Sequence, residues 1–163
     1  MKKDNKTNAM RILDRNKIPY TEHLYECDEF LDGISIAQKL NQPLSKTFKT
    51  LVTIGKSRKY YVFVIPVASE LNLKAAAAAV GEKSIEMIHV KDITAITGYV
   101  RGGCSPIGMK KQFQTVIHST AQTQETIIFS GGRLGAQIET SPTALANLIG
   151  ASFCDITFNT DVE

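Results

Sequence analysis

The sequence predicts a mixed α/β domain of the α+β type, a barrel-like, mostly antiparallel or mixed sheet surrounded by helices. Three observations carry this. Two β-branched and aromatic runs, 47–54 and 60–67, flank Gly55-Lys56-Ser57-Arg58-Lys59 and read as a hairpin. Helix signals with caps punctuate the chain but do not alternate regularly with strands, so a Rossmann-type parallel sheet is not expected. No Pro/Ser-rich linker, charge block or repeat divides the 163 residues, which suits one domain over 1–163 with a frayed start at 1–6.

In chain order, Thr7 is placed to cap a helix running to about Asn16, with Met10, Ile12 and Leu13 as its apolar contacts. Pro19 ends helical tendency, and residues 20–25 read as a strand. A second helix is expected over 35–40, stopped by Asn41-Gln42-Pro43. After the hairpin, residues 72–80 hold a run of five alanines and form the strongest helix on propensity, with Gly81 at the stop position. A short strand over 84–88 and a short helix over 92–97 follow. Beyond the glycine loop at 102–108, strands are expected at 115–118, 126–130 and 137–140. Ser141-Pro142 then opens a helix to Ile149, closed by Gly150, and 153–158 makes a last strand.

Composition excludes several classes. Hydrophobic residues make up 43% and charged residues 21%, a globular balance. The start, Met1-Lys2-Lys3-Asp4-Asn5-Lys6, has no apolar stretch behind it, so neither a secretory signal nor a membrane span is expected. Cys27, Cys104 and Cys154 form no Cys-x-x-Cys pair; disulfides and structural zinc are not expected, and a reducing, cytoplasmic setting is. His23, His89 and His118 stand apart without ligand spacing, so no metal site is predicted. A net charge of +3 permits contact with a polyanion without demanding it.

Four features can carry chemistry. Gly102-Gly103-Cys104-Ser105-Pro106-Ile107-Gly108 is flanked by Arg101 and by Lys110-Lys111. Glycines let the backbone approach a ligand and aim N–H groups at an oxygen; the loop is either such a cradle or a plain connector. Ser130-Gly131-Gly132-Arg133-Leu134-Gly135 has the same character, and the two segments can form opposite walls of one cleft. Lys49 shares a strand face with Leu51 and Thr53, so its ammonium either snorkels to solvent or enters a cleft, where it binds an oxygen or acts as a base. Cys104 is a nucleophile only if a base or helix terminus activates it, and no histidine is near in sequence.

Phe48-Lys49-Thr50-Leu51, Leu71-Asn72-Leu73-Lys74, the block from Thr97-Gly98-Tyr99 through Lys110-Lys111, and Ser130-Gly131-Gly132 resemble the YbaK/EbsC family, in order, from about residue 7 to 156. The resemblance implies the family's barrel-like editing-domain fold and a cytoplasmic aminoacyl-tRNA deacylase acting in trans. It is similar to the editing insertion of bacterial prolyl-tRNA synthetases. Cysteine and proline have similar volume, so the synthetase pocket separates them poorly and a second sieve is needed. The substrate implied is Cys-tRNA(Pro), with Cys-tRNA(Cys) or a tRNA carrying another amino acid such as alanine as alternatives.

The resemblance further implies catalytic roles for Lys49, Tyr25 and Gly102, substrate contacts at Thr50, Gly103, Ser105, Ser130 and Gly131, and tRNA contacts at Lys110, Lys111 and Arg101. It implies no cofactor and no metal. The partners to expect are aminoacyl-tRNA, tRNA(Pro) above all, and prolyl-tRNA synthetase, with no DNA and no membrane. In the branch that clears cysteine, the substrate's own thiol attacks its ester and leaves as a thiolactone, so the enzyme supplies orientation and oxyanion binding rather than a nucleophile. Relatives commonly carry an apolar residue at the position of Cys104, which implies a dispensable thiol. They also place two basic residues where Arg133-Leu134 stands, so tRNA contact there is weaker. A non-catalytic module binding tRNA or a synthetase, and a hydrolase working through Cys104, are the competing readings.

Overall fold

A computed structural model describes residues 6–27 and 30–158. Helix α1 (Asn8–Arg15) starts where Thr7 accepts a hydrogen bond from Met10 N–H at 3.2 Å, and it buries Ala9, Met10 and Leu13. The Thr7 hydroxyl also donates to the Gly131 carbonyl, which ties the helix start to a strand more than a hundred residues away. Strand β1 (Thr21–Leu24) follows. Helix α2 (Gly33–Lys39) begins two residues before the expected Ser35, because Asp32 Oδ1 accepts from Ser35 N–H at 2.7 Å and is the true cap. The weak helix former Gly33 hid that start.

The hairpin forms as expected, β2 (Phe48–Gly55) against β3 (Tyr60–Pro66), registered from Phe48 opposite Pro66 to Ile54 opposite Tyr60. Helix α3 (Leu73–Val80), capped by Asn72, is the alanine run. Ala76 and Ala77 are buried, and their small side chains let α3 lie close on the sheet. Strand β4 (Ile85–Met87) and helix α4 (Ile93–Thr97) match the short elements expected there. Strands β5 (Gln114–His118), β6 (Ile127–Arg133) and β7 (Ala136–Thr140), helix α5 (Pro142–Ile149) and strand β8 (Ser152–Cys154) complete the order.

Two corrections belong to the second half. The glycine segment 130–135 is not a free loop: β6 runs through Gly131 and Gly132 to Arg133, with a register shift between Ser130 and Arg133. The glycines form an irregularity within a hairpin. The last strand is shorter than 153–158, with Thr157 making only an isolated bridge to Leu71. The expected frayed start falls on residues 1–5, which lie outside the described residues, while Lys6 pairs with Asp14.

The strands form a three-stranded sheet, β1-β7-β6, and a five-stranded sheet, β4-β2-β3-β5-β8. β5 runs parallel to β3 and β8, and the other pairings are antiparallel. A parallel bridge from Thr47 to Ile128 links the sheets, giving a mixed, barrel-like arrangement that does not close. One core gathers Met10, Leu13, Phe48, Phe129, Ile138 and Leu145 between the sheets, α1 and α5. A second lies under α3, with Phe63, Ile65, Ala76, Val116 and Ile156. Each fully buried side chain of this size contributes about 1.5–3 kcal/mol, so the two cores hold the sheet rigid behind the site.

Candidate active site

The split in the sheet makes the site. One edge of β2 is covered by β3 along its length. The other meets β6 at Thr47 and β4 from Thr53 to Gly55, and Val52 O accepts from Ile88 N–H at 3.3 Å. Along this edge Lys49, Thr50, Leu51 and Val52 line a cavity of ≈ 510 Å³. The β1–α2 segment, the end of β4 and the Gly102 loop close the remaining sides. Such a volume fits a small ligand.

Lys49 lines this cavity half-buried, and among the described residues its ammonium makes no ion pair. Burial pushes its pKa down, and the carboxylates of Glu70 and Asp32 work against that shift. The cation is therefore held in the cavity by charges that do not neutralise it by contact. Asp32 was not expected at the site; its signal was the capping position that sets α2.

Gly102 faces Lys49's cavity with a left-handed backbone, φ +83°. The left-handed backbone favours glycine, and a Cβ there would come within 2.8 Å of Leu134 Cδ2 and 2.9 Å of Phe30 Cδ1, so those two side chains would have to shift. The next amide, Gly103 N–H, donates to the Val100 carbonyl at 2.9 Å, whereas the Gly102 N–H has no partner among the described residues. Arg101 stands over the Phe30 ring at 4.1 Å on the cavity wall. Tyr25 also lines the cavity; burial raises its pKa, so the phenol stays protonated and can donate. Its N–H donates to Gly135 O at 2.9 Å, which anchors it to the β6–β7 turn.

Thr50 and Ser130 line the same cavity, and Thr50 Oγ1 is buried without a hydrogen-bond partner among the described residues. A buried polar atom without a partner is uncommon in a folded protein, and at the cavity wall it marks a candidate contact for a ligand. Gly103, Ser105 and Gly131 do not line it. Gly103 backs onto Arg133 and Leu134, and Gly131 onto Ala136 and the Met10 side chain. Ser105 is fully buried, its Oγ accepting from Ile107 N–H at 3.3 Å. These residues shape the wall from behind. Lys110 and Lys111 are exposed away from the cavity, and Lys110 Nζ donates to Ala95 O at 3.2 Å.

Cys104 lines the cavity, but burial raises its thiol to about 11, the nearby Thr97 hydroxyl offsetting this only in part. The thiol is protonated at neutral pH and a poor nucleophile. Of the histidines, His23 pairs with Glu139 at 2.8 Å and His118 is enclosed behind β8; neither lines the cavity. Sequence reading missed the Gln42–Gln137 amide pair, 2.7 Å apart, whose Gln137 lies at the cavity. It also missed the apolar wall of Phe30, Ile34, Ile36, Met87 and Val90. Among the described residues no group of three His, Cys, Asp or Glu could hold a metal ion, and no helix is long and apolar enough to cross a membrane.

The aminoacyl-tRNA editing domain family matches residues 34–148. Over 157 residues the chain is 47% identical to a protein of Enterococcus faecalis, strain ATCC 700802 / V583, that carries the name Cys-tRNA(Pro)/Cys-tRNA(Cys) deacylase EbsC, and the match covers 96% of each. A crystal structure titled for a trans-editing enzyme for prolyl tRNA synthetase shares the fold with a TM-score of 0.77 at 20% identity, over 93% of this chain and 93% of that one. The hypothetical protein APE2540 does so with a TM-score of 0.83 at 21% identity, over 91% and 97%.

Proposed function

The chain belongs to the aminoacyl-tRNA editing domain family, and on that premise we propose that its cavity takes the aminoacylated 3′ end of a tRNA and breaks the ester, with cysteine on tRNA(Pro) the preferred cargo. It is an aminoacyl-tRNA deacylase that protects the fidelity of translation, working in trans, in the cytoplasm, alongside prolyl-tRNA synthetase. The observation that supports this reading best is that Lys49, half-buried, and Gly102 line one cavity, and that among the described residues neither the Lys49 ammonium has an ion-pair partner nor the Gly102 N–H a hydrogen-bond partner.

In this mechanism Lys49 binds oxygens of the terminal ribose and ester, and Thr50 Oγ1 and the Tyr25 hydroxyl add polar contacts. The Gly102 N–H donates to the carbonyl oxygen as negative charge develops on it, an interaction worth on the order of 10²–10³ in rate. The substrate's thiolate supplies the nucleophile: the C–S bond forms, the C–O bond to the ribose breaks, and the ribose oxygen leaves with the electron pair and takes a proton. The products are a four-membered thiolactone and free tRNA. Cys104, protonated and buried, takes no part. Ser130 contacts the substrate directly, and Gly103, Ser105 and Gly131 act from behind the wall. Arg101, Lys110 and Lys111 meet the tRNA backbone.

The test is a panel of tRNA(Pro) charged with cysteine, alanine or proline, with loss of ester followed against the uncatalysed rate. Cys-tRNA(Pro) is expected to be cleared fastest. Cysteine ester that persists at its uncatalysed rate overturns the proposal.

A further inference from the structure

Met87 and Ile88 line the reaction cavity on one side of β4 and a second cavity of ≈ 520 Å³ on the other. Apart from these two, no residue named at the reaction cavity lines this second space. Its border includes Lys56 and Arg58 from the β2–β3 turn, Tyr60 at the start of β3 and His89 from the segment after β4, together with Glu86 and Asp92. Lys56 and Arg58 are exposed, and among the described residues their side chains enter no ion pair. The nearest acid of that turn, Glu82, is already occupied, accepting from Ser57 N–H at 3.2 Å and the Tyr61 hydroxyl at 2.6 Å. Lys59, Lys83 and Lys91 are exposed chain neighbours of these residues, so five cations outnumber the three carboxylates of Glu82, Glu86 and Asp92.

A single-stranded nucleic acid needs cations along a groove and a ring for a base to stack on. Tyr60 supplies a ring, held in an edge-on contact with Phe113 at 5.7 Å between centroids. Among the described residues the strand between the cavities pairs with no strand but β2, and Met87 on it is 43% exposed, so a chain can cross this ledge. Resting on the deacylase reading, we propose that the second cavity seats the single-stranded nucleotides just ahead of the tRNA's terminal adenosine. Lys56 and Arg58 hold their phosphates and Tyr60 meets a base, while the terminal adenosine crosses β4 into the reaction cavity.

The experiment compares wild type, K56E/R58E, K56A/R58A and K110E/K111E in two readouts. The first is the Kd for uncharged tRNA as a function of salt. K56E/R58E is expected to weaken binding on the order of tenfold, and K56A/R58A to reduce the slope of log Kd on log salt by about 1–1.5. The second is the ratio of kcat/KM on cysteinyl-tRNA to that on 2′(3′)-O-cysteinyl adenosine, which lacks those nucleotides; this ratio is expected to fall by a similar factor. An unchanged Kd in both Lys56/Arg58 variants, or equal loss on the two substrates, overturns the inference. If wild type cleaves neither ester, the deacylase reading fails, while the tRNA affinities still decide the role of Lys56 and Arg58.

Discussion

Gly103 and Arg133 are packed backbone to backbone: a Cβ on Gly103 would lie 3.0 Å from Arg133 Cα and 3.3 Å from Leu134 N. The two glycine segments therefore meet, and the loop that presents Gly102 is braced by the β6–β7 hairpin.

That bracing predicts the effect of Gly103→Ala. The added methyl meets backbone, which cannot swing aside as a side-chain end can, so the loop and hairpin must separate. A cost of about 1–3 kcal/mol is expected, lowering the melting temperature by several degrees. Because the displacement reaches Gly102, kcat should fall as well. Thermal denaturation and steady-state kinetics check both; a variant with wild-type stability and rate would show that the contact is not needed.

Lys49→Ala should leave the fold intact, since among the described residues Lys49 has no ion-pair partner to abandon, and reduce kcat/KM by about a hundredfold or more. Burial holds the Lys49 pKa below that of a free lysine, so the ammonium discharges at lower pH. The alkaline limb of the pH–rate profile is then expected below the ordinary lysine value. An unaltered far-ultraviolet circular dichroism spectrum with retained activity would remove Lys49 from the mechanism.

Cys104→Ser should keep most of the deacylase activity. A thiol raised to about 11 is almost wholly protonated at neutral pH, and neither enzyme acylation nor rapid alkylation by iodoacetamide is expected at this position. Trapping of an acyl-enzyme on Cys104 by mass spectrometry would reverse this conclusion.

His118 sets a pH dependence of stability. Its Nδ1 accepts from Ile156 N–H at 3.1 Å and its Nε2 lies 3.2 Å from Thr157 Oγ1, so the folded state requires a neutral ring with Nδ1 bare. Burial lowers its pKa, with Asp155, 3.6 Å away, opposing. The unfolded chain thus binds the proton first. The stabilisation is fully present above about pH 6.5, the ordinary histidine value, and is lost as pH falls through the lower folded pKa. Urea denaturation between pH 5 and 8 on wild type and His118→Asn checks this; an unchanged pH slope in the variant would assign the effect elsewhere.

The elements were legible because their signals are local. Thr7, Asn72 and Ser141 each cap a helix through an amide three residues on, and the β-branched runs 47–54 and 60–67 need only a short turn to pair. Asp32 was the exception, since Gly33 and Ser35 behind it offered a second plausible start. At the site, Lys49 was visible as a cation on a partly apolar strand face, and Gly102 as part of a basic-flanked glycine loop. Ser105 and Gly131 share the same local chemistry, yet they point into packing rather than toward the cavity.

The sequence alone determined the caps at Thr7 and Ser141, the hairpin, and a family resemblance specific enough to name the reaction class. Those depend on propensities and motifs read within a few residues. Tertiary structure alone decided that β6 and β4 cover opposite ends of the β2 edge and leave Lys49 to Leu51 open between them. It also decided that Asp32 and Glu70 act on the Lys49 charge, and that Gly103 locks against Arg133. Each of these joins segments brought together by core packing, whose free energy is shared among many contacts, and no short stretch of residues encodes it.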